Sequence, residues 1–147
     1  MIDVMFAAFA QAAPERVNGS PYGTINALLL SGRGNGSTPW IMFTFFGGGH
    51  GGNPEGDGLS HGNAPISMAT IPPVEVLEAA FPIYFSQWAL RPDSGGPGRH
   101  RGGLGAIYEI EVLDAVADLF VLGERGNFAP PGVHGGGPGA MNRVTYQ

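Results

Sequence analysis

The sequence has 147 residues, a length that predicts one domain over residues 1–147 and is short for an enzyme carrying nucleotide, metal and substrate sites together. Its seven cationic residues are all arginine and are outnumbered by twelve carboxylates. The resulting net charge of -5 excludes recruitment of nucleic acid or an anionic membrane by bulk charge. Cysteine is absent, which excludes disulfides, thiolate metal sites and a cysteine nucleophile. No apolar run reaches the roughly 20 residues that span a bilayer, and Asp3 stands where a signal peptide carries positive charge, so we expect a soluble, cytoplasmic protein.

The first predicted elements are a helix and a pair of strands. Residues Ile2–Ala13 are mostly Ala, Met, Phe and Val, with no helix breaker before Pro14, which predicts a short buried helix. The β-prone runs Tyr22–Leu30 and Trp40–Phe46 flank the turn-forming stretch 31–38. This pattern predicts two paired strands.

A long loop is predicted at residues 47–62, which hold eight glycines and show no hydrophobic periodicity. His50 and His61 lie in this loop with Glu55 and Asp57 between them, and these groups are chemically able to hold a divalent metal. However, His61 stands eleven positions after His50 and no short histidine spacing is present. The pattern therefore favours no metal site in this chain.

The second half of the chain is predicted to contain one short helix and several strands. Two prolines precede Val74–Ala80, whose spacing predicts one or two helical turns. Strands are predicted at Ile83–Leu90, Ala106–Leu113, Val116–Gly123 and Arg143–Tyr146. The expected architecture is an α+β fold, a β-rich single domain with short helices and long glycine-rich loops.

The loop 91–105 is the most distinctive local feature. It holds six glycines and five polar side chains that we take as candidates for substrate or anion binding, namely Arg91, Asp93, Ser94, Arg99 and Arg101. Glycine-rich backbone and guanidinium groups can together present N–H donors to an anion. The alternative is that the aspartate pairs internally with one of the two later arginines and that the glycines only permit tight turns. The lysine and Ser/Thr of a P-loop are missing.

No set of catalytic residues is legible from spacing alone. Ser94 is followed by His100, but no third orienting group or nucleophile-elbow sequence accompanies them. Glu124 and Arg125 follow an apolar run and complete the set of candidate site residues. A charged pair at a strand end can either organise the next turn or face a site, and the structural alternative is favoured.

The order of several motifs resembles that of one protein family. The segment Pro73–Glu78, the run Tyr84–Leu90 and the loop Arg91–Gly105 together resemble the C-terminal region of hydantoinase B and oxoprolinase proteins. Matches in the same order flank them at Pro21–Asn26, Gly47–Gly52, Asp57-Gly58, Glu124-Arg125, Phe128–Gly132 and Gly135–Gly139. The resemblance covers nearly the whole chain, and ordered motifs are more specific than a lone glycine pattern.

The resemblance implies a component of an ATP-dependent, multi-subunit amidohydrolase or carboxylase and not an autonomous enzyme. The family's members serve in the opening of cyclic amides such as hydantoin, oxoproline and lactams, or in the carboxylation of ketones such as acetone and acetophenone. Their B component is several times longer than this chain, and its metal-binding motifs lie in its N-terminal half. The resemblance therefore implies a hetero-oligomer with hydantoinase A-like and B-like large subunits, which would carry the ATP and the divalent metal. A non-catalytic assembly subunit and a fragment without a role are the alternatives.

Overall fold

The protein is described by a computed structural model that covers residues 2–33, 38–63, 67, 69–114 and 116–147. Its elements, in chain order, are α1 (Ile2–Phe9), a 3-10 turn (Pro14–Arg16), β1 (Asn26–Gly32), β2 (Trp40–Phe46), α2 (Val74–Ala80), β3 (Ile83–Leu90), β4 (Ala106–Val112) and β5 (Ala117–Leu122). These helices and strands confirm the expected β-rich α+β fold.

Two antiparallel sheets form the body of the protein. The first has the strand order β2-β1-β5, and the second pairs β3 with β4, with an irregularity between Phe85 and Gln87. The predicted pairing of the first two strands is confirmed, but β1 begins at Asn26 and not at Tyr22. Gly23 explains the later start, because its φ of 105° departs from extended backbone.

The core lies between the two sheets. Strand alternation places Leu28, Leu30 and Met42 on the inner face of the three-stranded sheet. They pack in one cluster with buried side chains of α2 and β3, namely Leu77, Ile83 and Phe85. Helix α2 is further fixed by Glu78, whose carboxylate accepts the Phe85 N–H at 2.8 Å.

Two predicted elements differ from the structure. The first helix ends at Phe9 and continues to Ala13 only as hydrogen-bonded turns, and none of its residues is buried, so the predicted burial is wrong. The strand predicted at Arg143–Tyr146 is wrong, because this segment pairs with no described strand. Its side chains are exposed. In the turn predicted at 31–38, residues 34–37 lie outside the described residues. No helix in the described ranges combines the length and apolar character that crossing a membrane requires.

Candidate functional site

Three glycine-rich segments, 47–62, 91–105 and 130–139, form a layer in which backbone contacts backbone. The segments are joined mainly by hydrogen bonds between main-chain groups, and the Asp57 and Ser60 side chains add two bonds to main-chain N–H groups of the 91–105 loop. The main-chain bonds are Gly103 N to His50 O (2.8 Å), Gly58 N to Arg101 O (2.7 Å), His61 N to Leu104 O (2.8 Å) and Gly137 N to Pro97 O (2.7 Å). The N–H groups that form them are therefore not available to an anion.

The glycines in this layer are required by close approach. A Cβ added to Gly49 would lie 2.0 Å from the carbonyl oxygen of Gly103, and one added to Gly103 would lie 2.1 Å from that of Leu59. Both obstacles are backbone atoms, which cannot rotate away as a side chain can. The glycine pattern is thus explained largely by packing between loops.

Arg91 and Ser94 form bonds within the chain. The Ser94 hydroxyl donates to the carbonyl of Arg91 at 2.7 Å and accepts the Gly105 N–H at 2.8 Å, which closes the base of the loop. A guanidinium nitrogen of Arg91 donates to the carbonyl of Met141 at 2.8 Å and so ties down the C-terminal segment. Both side chains thus have positioning roles in this structure.

Asp93, Arg99 and Arg101 are exposed, and within the described ranges none of their side chains forms an ion pair. The internal pairing considered for Asp93 is therefore not seen there. Arg101 is held through its main chain, because its N–H donates to the Asp57 carboxylate at 2.8 Å. This arrangement leaves the guanidinium groups of Arg99 and Arg101 at the surface of the loop.

Glu124 and Arg125 fasten other segments to the end of β5. The Thr24 N–H donates to Glu124 at 2.8 Å, and this hydrogen bond holds the pKa of Glu124 below its ordinary value. Arg125 approaches the Asp3 carboxylate of α1 at 3.3 Å, with a left-handed backbone of φ 63°. The Arg125 Nε is buried and has no hydrogen-bond partner in the described part of the chain. The pair thus organises neighbouring segments, as the structural interpretation expects.

An aromatic cluster around His61 was not predicted from the sequence. The Trp88 indole donates to His61 Nε2 at 3.3 Å, and the same nitrogen contacts the Tyr108 hydroxyl. Burial lowers the pKa of His61, and an accepting Nε2 places the proton of the neutral ring on Nδ1. Trp88 and Tyr108 face each other across β3 and β4, so only knowledge of that register would have revealed the cluster.

The two loop histidines are thus engaged separately. His50 Nε2 bonds the carbonyl of Asn63, and His61 Nε2 is occupied by Trp88 and Tyr108. The described residues contain no group of three or more His, Cys, Asp or Glu side chains placed to hold a metal ion.

An open cleft of about 1470 Å³ runs beside the glycine layer. Tyr22, His50 and Tyr108 contribute to its wall. Burial raises the pKa of Tyr22 to about 12, and its hydroxyl is buried with no partner in the portion of the chain that is described. Three of the candidate residues line this cleft, namely Arg91, Ser94 and Arg125. The other four lie outside its lining, namely Asp93, Arg99, Arg101 and Glu124.

Comparison with known proteins assigns the chain to a family. The family profile described as hydantoinase B/oxoprolinase matches residues 1–147. The chain belongs to this family. This membership confirms the resemblance that the ordered motifs predict.

Relatives of this hydantoinase B-family chain are much longer than 147 residues. A protein of unassigned function from Methanocaldococcus jannaschii is 34% identical over 95% of this chain and 24% of its own length. The B component of a putative D-/L-hydantoinase from a Pseudomonas species is 28% identical over 99% of this chain and 24% of its own. A solved nucleotide-free structure of acetone carboxylase, an enzyme of ATP-dependent acetone carboxylation, aligns with a TM-score of 0.75 at 27% identity, covering 91% of this chain and 18% of that chain. The chain therefore spans about a quarter or less of these proteins.

Proposed function

We propose that this chain acts as a component of an ATP-dependent enzyme that opens a cyclic amide or carboxylates a ketone, together with larger hydantoinase A-like and B-like subunits. One observation carries the proposal. The family match runs through all 147 residues, whereas the chain corresponds to only 24% of the hydantoinase component and 18% of the carboxylase chain. Most of such an enzyme therefore lies outside the part that these 147 residues match.

The arrangement of charged groups supports a contributing role and not independent catalysis. Arg91, Ser94, Glu124 and Arg125 are hydrogen-bonded within the chain, and no nucleophile with an adjacent base is assembled among the described residues. Among the described residues, no His, Cys, Asp or Glu side chains are grouped to hold a metal ion, and the proposal assigns the divalent metal and ATP to the partner subunits. The exposed arginines of the 91–105 loop are the groups that this chain can offer to an anionic substrate or a phosphorylated intermediate.

The double substitution Arg99→Ala with Arg101→Ala tests this role in the reconstituted complex. Both side chains are exposed, and the backbone N–H of Arg101 keeps its bond to Asp57, so folding and assembly should be unchanged. We expect substrate-dependent ATP hydrolysis, measured with hydantoin, 5-oxoproline and acetone, to fall at least about tenfold, since charge-assisted hydrogen bonds contribute about 1.5–3 kcal/mol each.

Arg16→Ala is the matched control, because it removes an arginine that is 83% exposed on the 3-10 turn. It should leave both assembly and activity unchanged. Failure of the wild-type chain to join a complex with A-like and B-like subunits would overturn the proposed function itself.

A non-catalytic assembly subunit is the alternative function. The backbone-to-backbone glycine layer favours it, because such packing braces loops without presenting reactive groups. In that case the double arginine variant would assemble and retain full activity in the complex.

A further inference from the structure

The three-stranded sheet has a second face that points away from the core. Residues directly opposite each other on paired strands share a face, so Leu29 of β1 stands beside Phe43 of β2 and Phe120 of β5. In the next row, Ala27 stands between Phe45 and Leu122. We call the set Leu29, Ile41, Phe43, Phe45, Phe120 and Leu122 the outer face.

The outer face is apolar, and four of its six side chains are exposed while Leu29 and Phe45 are half-buried. Ile41 is 68% exposed, Phe43 is 55%, Phe120 is 62% and Leu122 is 54%. Ser31 and Asp118 share a row with Ile41 at one end of the face. The other two rows, which contain Leu29 and Ala27, carry no charged side chain. Scattered apolar side chains are normal on a protein surface, but a contiguous patch three strands wide marks an interaction site.

The total surface area of the chain is larger than that of a compact monomer. Its accessible surface is 9386 Å², whereas a compact monomer of 15.3 kDa exposes about 7,100 Å². The excess of roughly 2,300 Å² exceeds the ~800 Å² that each partner buries in a standard protein interface. The chain thus has more than enough excess surface for one large contact.

We propose that the outer face docks onto a larger hydantoinase B-type polypeptide, on the part of it that has no counterpart in this chain. This inference rests on the proposed function and names the surface through which it is realised. About three quarters of the Methanocaldococcus jannaschii relative lies outside the match, so in such proteins polypeptide is available to cover this face. A second copy of this chain is the alternative occupant, and the oligomeric state of the free chain distinguishes it.

The chemistry of the partner follows from the face. It must present an apolar patch of matching width, because a charge opposite the two phenylalanines would be desolvated without a partner. The two ring positions, Phe43 and Phe120, flank Leu29 at the centre of the patch and are suited to act as anchoring side chains.

The test measures binding between the purified chain and the purified hydantoinase B-type large subunit of the same organism. Phe120→Lys should weaken binding by at least about thirty-fold, since it places a charge within the apolar contact, directly beside the central Leu29. Tyr84→Lys is the matched control, because Tyr84 is also an exposed aromatic residue on a strand, at 51% exposure, but belongs to β3. It should bind as the wild type does. Ile41→Lys serves as a second outer-face variant if Phe120→Lys fails to fold, which circular dichroism will show.

Each outcome bears on the proposal. Loss of binding in the outer-face variants with retention in Tyr84→Lys supports it. Equal binding by all variants overturns the assigned surface while the proposed function stands. Absence of binding by the wild-type chain would overturn both the assigned surface and the proposed function. Sedimentation that shows a wild-type dimer dissociated by Phe120→Lys would identify a second copy as the occupant and would also overturn the inference.

Discussion

Replacing Gly103 by alanine should separate the two central glycine loops. The new Cβ would lie 2.1 Å from the Leu59 carbonyl oxygen, whereas carbon and oxygen normally approach no closer than about 3.3 Å, so the loops must part by about 1 Å. That movement disrupts the bonds from Gly103 N to His50 O and from His61 N to Leu104 O, both 2.8 Å long. Two lost hydrogen bonds at about 1 kcal/mol each, with about 1 kcal/mol of packing strain, predict a destabilisation of about 3 kcal/mol.

Urea unfolding followed by tryptophan fluorescence measures this loss for Gly103→Ala. Gly126→Ala is the control, because a Cβ there meets nothing within 4 Å and the change should alter stability by less than about 0.5 kcal/mol. If Gly103→Ala unfolds at the same urea concentration as the control, the packing explanation of the glycine pattern is wrong.

Two further substitutions test other contacts. Ser94→Ala removes the hydroxyl that bonds Arg91 and Gly105, and urea unfolding should show a loss of about 1–2 kcal/mol; an unchanged midpoint would contradict the role in closing the loop. Burial lowers the folded-state pKa of His61. Protonation of this ring therefore favours the unfolded chain. The stability that the neutral ring contributes is present above about pH 6.5 and is lost as the pH falls through the folded pKa. His61→Asn, which tolerates the φ of 50°, should flatten the dependence of unfolding free energy on pH below about 6.5, and an identical slope in both proteins would refute the assignment.

Local sequence patterns predicted the regular elements well. Strand Ile83–Leu90 and helix Val74–Ala80 have their predicted bounds, because alternation and a proline-led helix start are properties of neighbouring residues. Burial of the first helix was wrong, since apolar composition states what a segment can bury and not whether another element covers it. The cluster of His61 with Trp88 and Tyr108 depends on contacts over 27 and 47 residues, which single-sequence periodicity does not contain.

The candidate site was only partly accessible to sequence reasoning. The 91–105 loop was found from its arginines and glycines, but which of them form internal bonds depends on the C-terminal segment that Arg91 reaches at Met141. The role of Glu124 likewise depends on Thr24, one hundred residues earlier in the chain. These long-range contacts are set by the fold, so sequence reasoning could name the residues but not separate bonded from exposed ones.

The strand order β2-β1-β5 also affects how the protein emerges from the ribosome. Seventy residues, 47–116, separate the end of β2 from the start of β5. At a synthesis rate of about 5–20 residues per second, one edge of β1 stays unpaired for roughly 4–14 s before β5 has been made. Because unpaired apolar strand edges recruit other chains, this interval exposes the nascent hairpin to aggregation, and a chaperone or a cotranslationally bound subunit would protect it.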